Sequence, residues 1–433
     1  MLRKLSLTGY VLFAPWATWF ALTGWLRLPV DFLLIALLLF TPLLLHRLVT
    51  KPKTLVVSDE DWLLVVVCAL VWFSYFFYGS GTEKSFNHAL SFSFCFLCYL
   101  VVFKRMWLDS GFSLGHLMQV CMWAVVLADG IVILEWTLLN IFNIIIRTYF
   151  LFTDKVVNMI YYDQIYWKSV GGVAEEPSLM AFNVNALFPI GWYYLRSTRG
   201  GLKTTAFLVM HLAALLCTAS SGGIAFILIA FSAAYLLEFK KDYWVAFGLA
   251  LCAILLASFI GFFFLPPNIQ SNLESLGSQV LSKVTLVNVS AQMRTDAWSK
   301  GWEDFLASPW FGRGPAYGHE AYRGFGYQST YIKMLAETGI FSLGTFFVFL
   351  GIVFYKVRTI ALPLRHYLTI GFVACAPHWA IADCYYHVSF WLTIAVIQLV
   401  HLEAKQPKKP TKVLQDTAPP GSPRPALQQA VLA

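Results

Sequence analysis

The sequence carries little charge for its length. Of its 433 residues, 12% are charged and 58% are hydrophobic, and the mean hydropathy is +0.66. A soluble globular domain usually contains about 25% charged residues. This shortage excludes a soluble domain as the bulk of the chain. It also makes the formal net charge of +8 a weak sign of nucleic-acid binding, and we expect no nucleic-acid partner.

The sequence also lacks a pattern for binding a metal ion. Its eight cysteines fall within apolar segments or at their ends. Cys95 and Cys98 form a C-x-x-C pair, but no second pair accompanies it, and a structural zinc site needs four ligands. No D-x-D-like carboxylate motif stands out in the long polar segments. We therefore expect neither a metal nor another cofactor.

Long apolar runs fill most of the chain. Runs of about 20 residues are long enough to cross about 30 Å of hydrocarbon, whereas a closed β-barrel would show weakly alternating segments of about ten residues. The pattern predicts an all-α polytopic membrane protein with about twelve transmembrane helices. Their predicted limits are 8–26, 30–46, 62–79, 87–103, 116–141, 178–195, 204–219, 222–238, 243–265, 329–355, 367–383 and 386–402.

Lysine and arginine predict the orientation of these helices. Basic pairs such as Lys104 and Arg105 gather in alternate short loops, and the loops between them are nearly free of positive charge. By the positive-inside rule, the basic loops and both termini are cytoplasmic. Two long loops, about 142–177 and about 266–328, then lie on the outer face. The transmembrane unit covers 1–405, and we expect the Pro- and Lys-rich tail at 406–433 to be disordered.

The second long loop contains a distinctive polar segment. From 291 to 306 apolar and aromatic residues recur every three or four positions, which predicts an amphipathic helix on the membrane surface. The second long loop is therefore predicted to be partly helical. Arg294, Trp298 and Gly301 lie near one stripe of that helix. A segment rich in Pro and Gly, S-P-W-F-G-R-G-P at 308–315, then breaks the helix. We call this segment the strap.

These motifs resemble the signature of the O-antigen polymerase and ligase superfamily. In that family an arginine opens the large outer loop and a P-x-x-G-x-G strap follows. The pattern H-N/S-x-Y/F-L-x-x-L-x-E-x-G closes the motif as the chain re-enters the membrane. The matching positions here are Arg294, Pro309, Gly312, Gly314, Ser329, Tyr331, Leu335, Glu337 and Gly339.

The chain departs from the family pattern at the histidine of the last motif, where it has Gln328. Glutamine does not titrate, so a histidine-base mechanism proposed for ligases does not transfer to this position. His319, nine residues earlier, is one candidate replacement, since an ordinary imidazole titrates near pH 6.5. A solvated loop histidine is the plainer interpretation of the same residue.

A second departure lies in the outer hairpin C-T-A-S-S-G-G at 217–223. Relatives often carry an arginine where this chain has Ser221. One cation of the family pattern is therefore missing, and Arg147, Arg313 or Arg323 could compensate for it.

Two adjacent carboxylates, Glu175 and Glu176, precede Pro177 at the outer start of the sixth predicted span. They could simply complement the dipole of a helix that begins with proline. The E-P-S sequence followed by an apolar helix also resembles the polymerase branch, in which a carboxylate near the membrane could accept the proton of a sugar hydroxyl.

The ionisable residues within predicted spans include Asp129 and Glu135 in the fifth, and His378 and Asp383 near the outer end of the eleventh. Acids at the centre of a membrane helix cost about 2.5–3.5 kcal/mol on insertion scales, so they usually face a cavity or a partner. A proton path in a transporter is the alternative.

The resemblance implies an enzyme that polymerises oligosaccharide repeat units linked to undecaprenyl diphosphate. The expected reaction is inverting glycosyl transfer at the periplasmic face of a bacterial inner membrane, and the product is an O-antigen or a xanthan-type exopolysaccharide. An O-antigen ligase and a polysaccharide transporter or flippase are the alternatives. Membrane lipids, a flippase and a chain-length regulator are candidate partners.

The resemblance also implies roles for individual residues. Arginines would stabilise the leaving diphosphate, the strap glycines would admit it, and aromatic rings would stack on sugars. The predicted catalytic residues are Arg294, Glu175, Glu176 and His319. The predicted substrate contacts are Arg313, Arg323, Arg147, Gln328, Tyr331, Glu337, Trp298, Gly312 and Gly314.

Overall fold

The computed structural model describes residues 1–16, 28–51, 54, 56–144, 169–174, 176–238, 289–322 and 326–405. Within these ranges the secondary structure is entirely helical. Seven of the described helices are long and apolar enough to cross a membrane, and an eighth apolar helix at Ser221–Leu237 is one residue shorter than the shortest of them. The predicted class, an all-α protein with many membrane helices, is confirmed.

The described helices are numbered here in chain order. They are α1 Leu2–Leu12, α2 Leu28–Thr50, α3 Asp61–Tyr78, α4 Glu83–Asp109, α5 Leu114–Asn140, α6 Pro177–Thr198, α7 Gly201–Thr218, α8 Ser221–Glu238, α9 Val289–Ala307, α10 Tyr317–Ala321, α11 Thr330–Thr359, α12 Leu364–Cys375 and α13 Val388–Lys405. A π-helical stretch, Leu97–Val102, interrupts α4, and a 3₁₀ turn, Pro377–Ala380, follows α12. The seven candidate spans are α2, α3, α4, α5, α7, α11 and α13.

Polar residues fix where several helices begin. The hydroxyl of Thr82 accepts a hydrogen bond from the Ser85 N–H at the start of α4, and the hydroxyl of Ser113 does the same for α5. Ser329 caps α11 by accepting from the Ile332 N–H. Such caps satisfy backbone donors that the first helical turn leaves free.

Helix α6 lies at the centre of the described bundle. It contacts α5, α7, α8, α12 and α13. It contains the polar residues Asn183 and Asn185, both fully buried, and each has a partner inside the bundle. The Asn183 amide lies 3.0 Å from Nδ1 of His387, and the Asn185 amide donates to the Gly223 carbonyl at 2.9 Å. The bounds of this helix agree with the segment predicted at 178–195, but α6 is not among the seven candidate spans, and neighbouring helices surround it.

The described residues do not test whether the chain has about twelve spans, as predicted. The span at 243–265, most of the one at 8–26 and the tail at 406–433 lie outside the described residues. The structure differs from the prediction at 367–383, where α12 ends at Cys375. Pro377 follows and lacks the N–H that would continue the helix, so the chain continues as a 3₁₀ turn.

The position of Lys104 also differs from the prediction, which placed this residue in a loop. It lies inside α4, its side chain is fully buried, and its ammonium pairs with Asp61 and Gln398. Such a position is tolerated because the carboxylate compensates the buried charge. The helix continues to Asp109, where Arg105 forms an ion pair.

Candidate functional site

Helix α9 is the predicted amphipathic helix of the second long loop, and it packs on the start of α11. Gly301 permits this packing, because a Cβ there would lie 2.3 Å from Ile332 and 2.9 Å from Tyr327. One turn later, the Asp304 carboxylate accepts hydrogen bonds from the hydroxyls of Tyr322 at 2.8 Å and Tyr327 at 2.9 Å. These contacts fix the position of α9 against the start of α11 and the segment before it.

Both tyrosines keep their protons in this arrangement. Burial is the largest cause that raises the pKa of Tyr327, followed by the nearby carboxylates of Glu337 and Asp304. Burial and the hydrogen bond to Asp304 likewise raise the pKa of Tyr322. The two hydroxyls therefore act as donors, and Asp304 serves α9 as an anchor.

Arg294 lies two helical turns before Gly301, on the same face of α9. It is half-buried, and its guanidinium lies close enough for its charge to act on the imidazole of His378. His378 is in the 3₁₀ turn and is fully buried. Among the described residues, neither of its ring nitrogens has a hydrogen-bond partner. The structure thus brings together a predicted catalytic arginine and a buried histidine.

The N-terminal turns of α6 and α8 meet at this same histidine. The rings of Phe182, in the second turn of α6, and Phe226, in the second turn of α8, lie 5.2 and 5.3 Å from the His378 ring. The two helices touch through Gly223, where a Cβ would lie 2.2 Å from Cβ of Ala181. The second turns of α6 and α8 thus form a junction at His378, on whose imidazole the charge of Arg294 acts. We call it the Arg294 junction.

Glu176 is the N-cap residue of α6, immediately before Pro177. Its side chain is exposed, and the Ser178 hydroxyl donates to it at 3.2 Å. A carboxylate therefore stands at the outer end of the helix that carries Phe182. Its predicted partner, Glu175, lies outside the described residues, as do Arg147 and Arg323.

The strap joins α11 through backbone hydrogen bonds. The N–H groups of Arg313 and Gly314 donate to the carbonyls of Ala336 and Glu337, at 2.8 and 3.0 Å, and the Ile340 N–H donates to the Pro309 carbonyl at 2.9 Å. These bonds link residues on either side of Gly339, where α11 is interrupted. We call this contact the strap joint.

Two glycines make the strap joint sterically possible. Gly339 has φ 78° and ψ 179°, and a Cβ there would lie 2.1 Å from the Trp310 carbonyl oxygen. Gly312 has φ 72°, and its Cβ would lie 2.2 Å from the carbonyl carbon of Glu337. The N–H groups of Gly312 and Gly314 donate to Ser308 and Glu337. The contacts therefore support a structural role for the two strap glycines, and their binding of a substrate anion stays a prediction.

Arg313 faces a second outer feature, a cavity of about 400 Å³ between the strap and the loop that joins α3 to α4. Its guanidinium stacks over the Tyr317 ring at 5.3 Å, and its Nε atom is buried without a hydrogen-bond partner among the described residues. Tyr78, Ser80 and Glu320 line the same cavity. The carboxylate of Glu320 accepts a hydrogen bond from the Thr82 hydroxyl.

The remaining predicted residues have mainly structural neighbours. The His319 ring lies 4.9 Å from the His88 ring on α4. The Tyr331 hydroxyl donates to the Ala376 carbonyl at 2.6 Å, so this tyrosine links α11 to α12. Gln328 is exposed in the left-handed conformation, with φ 54°, just before the cap of α11.

Glu337 and Trp298 complete the predicted set. Glu337 is fully buried against the backbone of Ala316, and the charges of Lys333 and Asp383 act on it. Trp298 lies one turn after Arg294 and is half-buried.

The sequence analysis did not assign a site role to His378 or Lys333. Lys333 is buried and pairs with Asp383 at 2.8 Å beside the Tyr385 ring. The polar motifs P-H-W at 377–379 and D-C-Y-Y at 383–386 interrupt a segment that is otherwise apolar enough to span the membrane. This interruption is the sequence signal that could have indicated His378 and the partner of Lys333.

A family model described as O-antigen ligase matches residues 206–348 of the chain. The match covers about a third of the sequence and contains Arg294, the strap and the strap joint. No curated protein matches the chain. The match confirms the resemblance to the O-antigen ligase and polymerase superfamily, and the apolar helices agree with a multi-pass membrane protein.

Proposed function

We propose that the protein polymerises lipid-linked oligosaccharide repeat units into a surface polysaccharide or exopolysaccharide at the outer, periplasmic face of the inner membrane. The observation that carries this proposal is the Arg294 junction, where the N-terminal turns of α6 and α8 meet at His378 and the charge of Arg294 acts on that histidine. Arg294 and the start of α8 fall inside the segment matched by the O-antigen ligase family, and α6 and His378 lie outside it. Among the described residues, no carboxylate pairs with Arg294. Its charge is therefore available to an anionic substrate.

The donor in this proposal is a glycan linked to undecaprenyl diphosphate. When the bond between the sugar and the phosphate breaks, negative charge accumulates on the leaving diphosphate. A fixed guanidinium stabilises that charge more strongly in the transition state than in the ground state, and its planar fork suits phosphate oxygens. The partial positive charges at the starts of α6 and α8 act in the same direction.

The acceptor hydroxyl needs a base, and the carboxylates before α6 are the proposed source. Glu176 is exposed at the outer end of that helix, so a sugar can reach it. Its carboxylate would accept the proton as the hydroxyl oxygen attacks the anomeric carbon from the side opposite the diphosphate. This geometry inverts the configuration at that carbon. Glu175 and His319 remain the other proposed bases.

A polymerase is favoured over a ligase by Gln328. In the ligase pattern this position holds a histidine, and Gln328 is exposed and cannot titrate. The O-antigen ligase family match favours the second candidate, a ligase that transfers a finished polymer to a lipid A core. The two candidates share the donor and differ in the acceptor.

The acceptor therefore provides the test. The purified protein is placed in liposomes that contain only lipid-diphosphate-linked repeat units, and the products are separated by size. A ladder of lengthening glycans supports the polymerase. Transfer of preformed polymer only after lipid A core is added supports the ligase. Movement of intact lipid-linked units across the bilayer without either product would contradict both and support a transporter.

A further inference from the structure

A cavity of about 450 Å³ lies between α5, α6 and α7, away from the Arg294 junction. Its opening is near the end of α6 and the start of α7, where the exposed side chains of Arg199 and Lys203 border it. Among the described residues, no carboxylate pairs with either cation. The proposed function assigns no role to this cavity.

The cavity walls become apolar with depth. Along α7, the lining runs from Lys203 through Phe207 to Met210, and along α5 it runs from Gln119 to Val126. Each run contains eight residues, whose ends are seven positions apart and therefore about 10 Å apart along the helix. In both helices the polar end of the run lies nearer the helix N-terminus, since Gln119 is the sixth residue of α5 and Lys203 is the third residue of α7. The cavity therefore has a cationic mouth and an apolar interior.

Aromatic residues stand between these two zones. Trp123, which is 48% exposed, and Tyr194 both line the cavity. Tryptophan and tyrosine concentrate at the level where lipid headgroups meet the hydrocarbon. Their position supports the assignment of the mouth to headgroup depth and of the interior to acyl-chain depth.

We propose that this cavity binds an anionic diacyl phospholipid of the leaflet that faces the basic loops. Arg199 and Lys203 hold its phosphate, and one acyl chain lies along Phe207 and Met210. A free phosphate would leave the apolar interior unoccupied. Basic pockets between membrane helices on this face are suited to anionic headgroups, since each cation near the surface favours an anionic lipid.

The test measures lipid retention on the full-length protein by native mass spectrometry in detergent. Phosphatidylglycerol and phosphatidylcholine with identical acyl chains are titrated separately. The wild-type protein should bind phosphatidylglycerol more tightly. Arg199→Gln combined with Lys203→Gln should weaken that binding about 30-fold, about fivefold for each cation, and leave phosphatidylcholine unchanged.

Two further variants separate the headgroup from the chain. Lys51→Gln with Lys405→Gln removes two exposed charges from the same face outside the cavity and should bind as the wild type does. Ala206→Trp fills the cavity and should weaken both lipids.

The proposal is overturned if the wild type binds both lipids equally or if the Arg199 and Lys203 variant keeps its affinity. Unchanged binding by the Ala206 variant would also overturn it, because the chain would then lie elsewhere. Displacement of phosphatidylglycerol by equimolar inorganic phosphate would identify a simple phosphate site instead. Each outcome is independent of whether the protein is a polymerase.

Discussion

The strap joint depends on Gly339, and Gly339→Ala should detach the strap from α11. The residue has φ 78° and ψ 179°, a conformation that is almost confined to glycine. The new methyl group would also lie 2.1 Å from the Trp310 carbonyl oxygen. Because this neighbour is backbone, a side-chain rotation cannot relieve the overlap. Either the strap or the helix must move.

The cost can be estimated from these contacts. Holding alanine in this backbone region costs about 1–3 kcal/mol. Movement of the strap breaks the Ile340-to-Pro309 hydrogen bond and its two neighbours from Arg313 and Gly314, each worth about 1 kcal/mol net. The three hydrogen bonds, about 3 kcal/mol together, are the cost of opening the strap. The backbone strain and the overlap with the Trp310 carbonyl destabilise the closed strap and offset that cost, so an open strap becomes populated in an otherwise folded protein.

The measurement is hydrogen–deuterium exchange of the backbone amides of the strap and of 336–340. In the wild type these amides should be protected, and in Gly339→Ala they should exchange at least 100-fold faster. Gly344→Ala is the matched control on the same helix, because no atom lies within 4 Å of its added Cβ. It should leave exchange unchanged, since alanine is the better helix former. Equal protection in all three proteins would refute the structural role of Gly339.

Two further contacts can be tested by substitution: Asp304 with the two tyrosine hydroxyls, and Lys104 with Asp61. Asp304→Ala should free the hydroxyls of Tyr322 and Tyr327, each bond to the carboxylate being worth about 1.5–3 kcal/mol. Amide exchange along α9 should then rise, and unchanged protection would count against this anchor. Lys104→Met should leave the Asp61 carboxylate buried without its cation and destabilise the protein by about 3–5 kcal/mol. Adding Asp61→Asn should recover most of the lost thermal stability, measured by tryptophan fluorescence. Equal melting of the single and double variants would contradict the buried ion pair.

Local patterns in the sequence predicted the features that depend on local physics. The period of apolar residues at 291–306 predicted α9, which the structure has at Val289–Ala307. The apolar runs likewise predicted the candidate spans, because length and hydropathy decide whether a helix can cross a bilayer. Glycine and proline marked the strap as irregular.

Contacts between distant segments could not be predicted in this way. The sequence marked Gly312 and Gly339 as unusual, but their shared role depends on a backbone contact between the strap and α11. The sequence pattern of Lys104 is that of a loop cation, but in the structure its ammonium contacts Asp61 and Gln398. Composition alone cannot distinguish a solvated lysine from a buried one that has found its partners.

The same limit applies to the candidate site. Arg294 was predicted from its place in a motif, whereas His378 is far away in the sequence and lies in an apolar segment. In the structure Phe182 and Phe226 pack against this histidine from two other helices, and the charge of Arg294 acts on it. These contacts join distant segments and cannot be predicted from local patterns. The substrate contact of Tyr331 stays a prediction, and the structure adds a contact that the sequence does not show, since the Tyr331 hydroxyl donates to the Ala376 carbonyl.

The central claim is that Arg294 stabilises the leaving diphosphate, and the rate of chain extension in proteoliposomes tests it most directly. Arg294→Ala should lower that rate by about 10²–10³-fold, the usual effect of removing one preorganised stabilising group. Arg294→Lys should recover part of it. Lys300→Gln, which removes an exposed charge from a different face of α9, should extend chains at the wild-type rate. A folded Arg294→Ala protein that extends chains as fast as the wild type would contradict the claim.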